Sequence, residues 1–169
     1  PLPAGANTCV GGPGCGCGKR PPPTCSVSGC LGASLNLTKN DCSAWQKFTR
    51  NPLYTKWAEA KCGTKVHTDP CSCKFYDQTQ CANGRITFID MGNQGLPASG
   101  GIPLPLLDLT GLTLLGLDTN ARTGSIPSAI GQLQQLTYLR LGANSLTGTV
   151  PQELTTLKHL NFIALNNNP

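Results

Sequence analysis

A pattern of leucines that recurs every 24 residues is the strongest constraint on the fold of this chain. The copies begin at Leu109, Leu133 and Leu157. The complete middle copy reads Leu133-x-x-Leu136-x-x-Leu139-x-Leu141-x-x-Asn144-x-Leu146-x-Gly148-x-Val150-Pro151. A fixed period of this length is typical of a solenoid, because one repeat cannot bury its apolar edge alone and must stack on the next. The pattern therefore predicts an array of stacked repeats.

Each repeat combines a strand signal with a turn signal. Leu139 and Leu141 alternate with period two, so both are expected to point to one face of a short strand. Asn144 follows where the chain must leave the strand. Its amide, in register with Asn120 and Asn168, is predicted to pair with backbone groups that the turn leaves open. A leucine-rich amphipathic helix is the alternative, and it would have to contain the glycine and proline of every repeat.

A weaker copy precedes the regular ones and brings the predicted array to about 3.5 repeats. Its members are Ile86, Ile89, Met91, Leu96, Gly100, Ile102, Pro103 and Leu106. The regular copies follow the pattern L-x-x-L-x-x-L-x-L-x-x-N-x-L-x-G-x-I-P, and residues 109–168 resemble plant-type extracellular leucine-rich repeats. The style is that of polygalacturonase inhibitors and receptor ectodomains. The resemblance implies an α/β-type solenoid with a parallel concave sheet and an irregular or 3-10 convex side.

The residues before the repeats resemble the N-terminal cap of the same family. Those that look like its capping helices are Asp41, Ala44, Trp45, Phe48, Asn51-Pro52-Leu53 and Trp57. The stretch from Asp69 to Cys81 looks like its cysteine-stapled lead into the first strand, although the family's C-x-W-x-G-V-x-C is absent. We expect an irregular Cys/Gly/Pro-rich segment at 1–40, a helical, disulfide-stapled cap at 41–84 and repeats at 85–169.

All ten cysteines precede residue 82. They are Cys9, Cys15, Cys17, Cys25, Cys30, Cys42, Cys62, Cys71, Cys73 and Cys81. An even number in a glycine- and proline-rich region predicts disulfides and an oxidising, extracellular location. The pairing stays open, except that the two C-x-C pairs are too close to bridge internally. A zinc site is the alternative, with Cys25 and Cys30 as half of it and His67 close to Cys71.

The remaining composition narrows the class of protein. Residues 1–81 hold nine Lys/Arg against four Asp/Glu and residues 82–169 hold four against four, so the net charge of +5 lies in the first part. That part is a candidate for contact with acidic polysaccharide, whereas a nucleic-acid partner is not expected. No apolar run is long enough to span a membrane, no signal peptide is present, and the start at Pro1 fits a processed chain. Asn36-Leu37-Thr38 is a predicted N-glycosylation site.

Catalysis has little support in the sequence. The chain has two histidines, His67 and His159, and neither belongs to a recognisable nucleophile motif. His67-Thr68-Asp69 offers at most part of a triad. We therefore predict a non-enzyme without metal or cofactor.

The predicted binding surface is the concave sheet. Just before each buried leucine pair stands one residue that should face outward, and stacking aligns these residues about 4.8 Å apart. They are Phe88, Leu114, Tyr138 and Phe162, with Arg140 in the neighbouring row. Exposed aromatic rings in a row suit a protein, a peptide or a cell-wall sugar. The aromatic residues also simply suit strands, which is the alternative explanation.

A structural role is the other functional hypothesis. The chain stops at Asn166-Asn167-Asn168-Pro169, within a repeat, which would leave an apolar edge uncovered. A head-to-tail contact between cap and open end would build a filament of an extracellular wall or matrix. Discrete monomers or polymers in solution separate the two hypotheses.

Overall fold

The computed structural model describes residues 29–31, 34, 36–73, 80–98 and 100–169. The predictions made for Cys9, Cys15, Cys17 and Cys25, and for most of the 1–40 segment, fall outside these residues. None of the helices in the described part is both long enough and apolar enough to cross a lipid bilayer.

Two helices open the described part. Helix α1 spans Lys39–Thr49 and helix α2 spans Thr55–Cys62. The Thr38 hydroxyl caps α1 by accepting a hydrogen bond of 3.2 Å from the Asp41 backbone N–H. The apolar residues of α1 point inward, and Trp45 is fully buried, its indole N–H donating to the Val66 carbonyl. Short 3-10 turns follow at Thr64–His67 and Pro70–Ser72.

Three disulfides staple this helical region. They join Cys30 to Cys42, Cys62 to Cys73, and Cys71 to Cys81. Cys71 and Cys73 of the C-x-C pair each bridge to a more distant cysteine and not to each other, which the spacing predicted. Two of the cysteines considered for zinc, Cys30 and Cys71, are bound in disulfides and are therefore not thiolate ligands.

One sheet runs through all the repeats. Its strands are β1 (Gln80–Ala82), β2 (Arg85–Asp90), β3 (Leu114–Gly116), β5 (Tyr138–Arg140) and β7 (Phe162–Ala164), in the order β1-β2-β3-β5-β7. A second, two-stranded sheet pairs β4 (Thr123–Gly124) with β6 (Ser145–Leu146). The β1–β2 pair is antiparallel and every other pair is parallel. The prediction of a parallel sheet across the repeats is confirmed.

The opposite side of each repeat is short and irregular. It holds the one-turn helix α3 (Leu104–Leu107) and 3-10 turns at Ser128–Gln132 and Gln152–Thr156. The repeat leucines fill the space between the two sides and form one core with residues of the helical region at 36–73, which we call the cap for its place before the repeats. Fully buried examples are Trp45, Phe48, Ile86, Leu115, Leu139 and Leu141. Because cap and repeats share this core, the cap packs directly on the first repeat.

The asparagine ladder predicted from the period is present. The Asn144 Nδ2 donates to the carbonyls of Leu117 and Leu141 at 3.0 and 2.9 Å. Its Oδ1 accepts from the backbone N–H of Asn120 at 3.0 Å. Asn120 bonds backward in the same way to Met91, and Asn168 bonds to Leu141. Each amide therefore joins its own turn to the preceding repeat.

Candidate ligand-binding face

The four residues named for the concave face lie side by side on adjacent strands. Phe88 pairs in register with Leu114, Leu114 with Tyr138, and Tyr138 with Phe162. We call these four residues the ladder column. The alignment follows from the period, because each member precedes the corresponding leucine or isoleucine of its repeat, which is buried in the first three of these strands.

Exposure is unequal along the ladder column. Tyr138 and Phe162 are 47% and 46% exposed, whereas Phe88 and Leu114 are partly buried. The rings of Tyr138 and Phe162 have their centroids 6.0 Å apart at an interplanar angle of 37°. A large apolar surface open to solvent on a regular sheet is a favourable place for a ligand to bury area. The column therefore offers its main contact at β5 and β7.

A row of threonine hydroxyls runs beside the ladder column, and this row was not predicted from the sequence. The Thr113 Oγ1 donates to the Thr87 carbonyl at 2.9 Å, and the Thr137 Oγ1 donates to the Thr113 carbonyl at 2.8 Å. Each hydroxyl therefore crosses to the backbone of the preceding strand. The threonine one residue before Phe88, Leu114 and Tyr138 was the signal that would have revealed this row.

Arg140 lies between two carboxylates on the same face. Its Nη2 is 3.1 Å from Asp90 Oδ1 and 3.0 Å from Asp118 Oδ1, and its Nε donates to Asp118 Oδ1 at 3.0 Å. We call these three residues the charged triad. Arg140 alone was predicted from the sequence, and its two acidic partners were missed. Asp90 lies in the same row as Arg140 and Asp118 in the next row, 50 and 22 residues earlier in the chain.

Two glycines make room for the charged triad. A Cβ at Gly116 would lie 2.6 Å from Asp90 Oδ1, and one at Gly92 would lie 2.8 Å from Asp118 Oδ1. No real Cβ tolerates such distances, so each carboxylate lies over the strand position that the glycine leaves empty. The glycine of β3 thus allows Asp90 on β2 to reach Arg140 on β5.

The histidine considered for catalysis has a different environment from that of a triad. The His67 Nε2 lies 3.1 Å from Glu59 Oε1, while Asp69 Oδ1 accepts a hydrogen bond of 2.6 Å from the Ser34 hydroxyl. His159 is exposed beyond the 3-10 turn at Gln152–Thr156. Among the described residues, no group of three or more His, Cys, Asp or Glu side chains is placed to hold a metal ion.

The predicted glycosylation site lies on the surface. Asn36 is exposed at a turn, and the hydroxyl of Thr38, the third sequon residue, is the N-cap of α1. The Thr38 Oγ1 also lies 3.0 Å from Asp41 Oδ1, to which it donates. Whether Asn36 carries a glycan stays a prediction.

Comparison with known proteins gives structural neighbours only. No protein-family model matches the chain, and no curated protein matches it either. The PEPR1–AtPEP1 complex matches 41% of this chain at 38% identity, with a TM-score of 0.41. The ectodomain of the Arabidopsis receptor kinase HAESA matches 41% at 39% identity, with a TM-score of 0.40. The chain spans only 10% and 12% of the length of these two proteins.

A third neighbour aligns with most of the described part. The leucine-rich-repeat ectodomain of the Arabidopsis thaliana receptor kinase GASSHO1/SCHENGEN3, solved with CASPARIAN STRIP INTEGRITY FACTOR 2, covers 76% of this chain at 25% identity, with a TM-score of 0.50. This chain spans 18% of that ectodomain. The fold is a leucine-rich-repeat solenoid. In these terms the ladder column and the charged triad both lie on the strand face of the leucine-rich repeats.

Proposed function

We propose that this leucine-rich-repeat chain is a non-catalytic recognition module that binds an extended protein or peptide segment on the strand face. The ladder column supplies the apolar contact, and Tyr138 and Phe162 are its most exposed members. The neighbour GASSHO1/SCHENGEN3 was solved with a bound factor, which supports a protein ligand for this fold.

The observation that carries the proposal is the exposure of two neighbouring rings, tilted by 37° to each other, on paired strands of the sheet. Tyr138 and Phe162 are each nearly half exposed, and Tyr138 lies between the hydrogen-bonded Thr137 and the buried Leu139. Tyrosine and phenylalanine lose little conformational entropy on binding and bury a large area, which is why such residues dominate binding energy at interfaces.

The compartment follows from the disulfides. Three bridges lie within the described residues, and disulfides persist in oxidising environments outside the cytosol. We therefore propose that the chain is extracellular, as a secreted, cell-surface or wall protein, and a glycan on Asn36 stays a prediction.

The test is selection of a linear dodecapeptide library on phage against the disulfide-intact chain. We expect the selection to enrich peptides. We expect the Tyr138→Ser/Phe162→Ser double variant to bind the best synthetic peptide with at least tenfold lower affinity than the wild type. Val150→Ser is the matched control, because Val150 is 58% exposed but lies outside the ladder column. Equal affinity for the double variant and the control, with both folded by circular dichroism, would refute the proposal.

The alternatives from the sequence analysis stay predictions. A cell-wall glycan is a second possible ligand for the ladder column, and a salt-sensitive pectin-binding assay would detect contact through the basic N-terminal part. End-to-end assembly into a filament predicts polymers in light scattering coupled to size exclusion. A monodisperse monomer favours the recognition module instead.

A further inference from the structure

We infer that the strand face selects a peptide with a basic side chain next to its apolar anchor, because the charged triad carries an unneutralised negative charge. The inference rests on the proposed function. It assigns the triad a role in choosing the ligand, beside an apolar column that by itself accepts many side chains.

The charge balance of the face is the first step. Arg140 on β5 is shared between Asp90 and Asp118, so one cation meets two anions. The other charged residue on these strands, Arg85, is paired with Asp41 of the cap at 3.0 Å and does not neutralise the triad. The described strand face therefore has an excess of one negative charge beside the ladder column.

The hydrogen bonds show where a ligand cation has room. Within the described part of the structure, Arg140 and the Gly92 N–H reach Asp90 and Asp118 at Oδ1. The Oδ2 atoms stay available to accept hydrogen bonds from a ligand. The side chains of Asp90 and Asp118 are 15% and 29% exposed, so they are partly desolvated yet accessible. A guanidinium or ammonium group binds such carboxylates more strongly than a neutral donor does.

The same contacts argue against an acidic ligand. Arg140 directs Nε and Nη2 to carboxylates that are already present, so an incoming anion must compete with one of them or bind at Nη1. At either place the neighbouring carboxylates repel the anion, and this repulsion weakens its binding. Arg140 thus neutralises one of the two acidic charges and does not serve as an anion-binding residue.

The distances set where the basic residue falls. Asp90 is two residues beyond Phe88 in β2, and outward positions two apart along a strand are about 7 Å from each other. Arg140 has the same offset of two residues from Tyr138 in β5, and the residue between them, Leu139, is buried. A basic residue within about two positions of the apolar anchor therefore reaches the triad in an extended peptide.

The experiment uses the peptides selected on phage and measures their affinities by fluorescence polarisation. We expect Arg or Lys within two positions of an aromatic or aliphatic residue. Asp118→Asn should lower the affinity for such a peptide by roughly three- to tenfold. An analogue of the peptide with its Arg replaced by Gln should bind the wild type and Asp118→Asn with equal affinity. Arg140→Gln should raise the affinity for the basic peptide by a similar factor, because it increases the negative charge of the strand face.

The two proposals fail in different ways. Loss of affinity in Arg140→Gln, or a preference for acidic peptides, would overturn the inference while leaving binding at the ladder column intact. If Tyr138→Ser/Phe162→Ser changes nothing, the binding site is elsewhere and both proposals are wrong. A library without any enriched peptide would also contradict both.

Discussion

The Arg122 Nη2 donates a hydrogen bond of 2.8 Å to the Tyr54 hydroxyl and so joins the repeats to the cap. Arg122 is fully buried, its guanidinium lies 5.7 Å from the centre of the Tyr54 ring, and it also donates to the carbonyls of Pro97 and Gly101. One side chain therefore connects the loop that ends at Tyr54, the carbonyls of Pro97 and Gly101, and the repeat that contains β4.

We expect Arg122→Met to lower the free energy of unfolding by about 3 kcal/mol, because it removes charge-assisted bonds and leaves buried carbonyls without donors. Tyr54→Phe removes one hydroxyl and should cost about 1 kcal/mol. Urea unfolding of the oxidised chain measures both. The exposed Arg50→Met is the control, expected within about 0.5 kcal/mol of the wild type. An Arg122→Met effect no larger than the control's would contradict this account.

A second link between cap and repeats is made by Asp41. Its Oδ2 accepts from the Ile86 backbone N–H at 2.7 Å, and its Oδ1 accepts from Arg85 Nε at 3.0 Å. The carboxylate is fully buried and binds donors only, so an amide placed there would direct its NH₂ group at another donor.

Asp41→Asn should therefore destabilise the chain by about 2–3 kcal/mol. Asp108→Asn is the matched control, because Asp108 is half exposed and its nearest cation, Lys47, is 3.9 Å away. Denaturant midpoints at neutral pH compare the two. If Asp41→Asn and Asp108→Asn shift the midpoint equally, the link to Ile86 contributes nothing to stability.

The period predicted much of the fold but could not predict these links. The parallel strands and the asparagine ladder follow from residues that recur every 24 positions, and local rules suffice for them. Arg122 stands where the next repeat has Leu146, so a departure from the repeat marked a buried polar contact. Its partners lie 21 to 68 residues away, and only the packing of the cap brings them together.

On the strand face, the ladder column could be predicted from the period, whereas the charged triad could not. The column is a consequence of register, which the period sets. The triad depends on side chains reaching across strands, and Gly116, between Asp90 and Arg140 in the sheet, was the one sequence signal for it. A glycine whose register neighbours, one repeat before it and one repeat after it, carry opposite charges is thus a sign of an ion pair across a strand.

Thr119 has a backbone conformation that is unfavourable for a β-branched residue. Its φ is +55°, in the left-handed region, where the corresponding residue of the following repeat is Ala143 and that of the last is Asn167. Thr119→Asn should stabilise the chain by about 0.5–1 kcal/mol, since asparagine adopts this conformation more readily. Thermal unfolding should show a higher midpoint. A lower midpoint would mean that the exposed threonine makes a compensating contact.

Thr38 has two roles that variants can separate, since it is the third residue of the sequon and the N-cap of α1. Thr38→Ala should abolish a glycan on Asn36 and also cost about 1 kcal/mol of stability. Thr38→Ser should keep both, because serine serves the sequon and caps helices, and Asn36→Gln should lose the glycan alone. Intact mass after expression in a secretory host reports glycosylation, and urea unfolding of the deglycosylated chains reports the cap. Unmodified wild-type chain would refute the glycan, and equal stability of Thr38→Ala and Asn36→Gln would refute the cap.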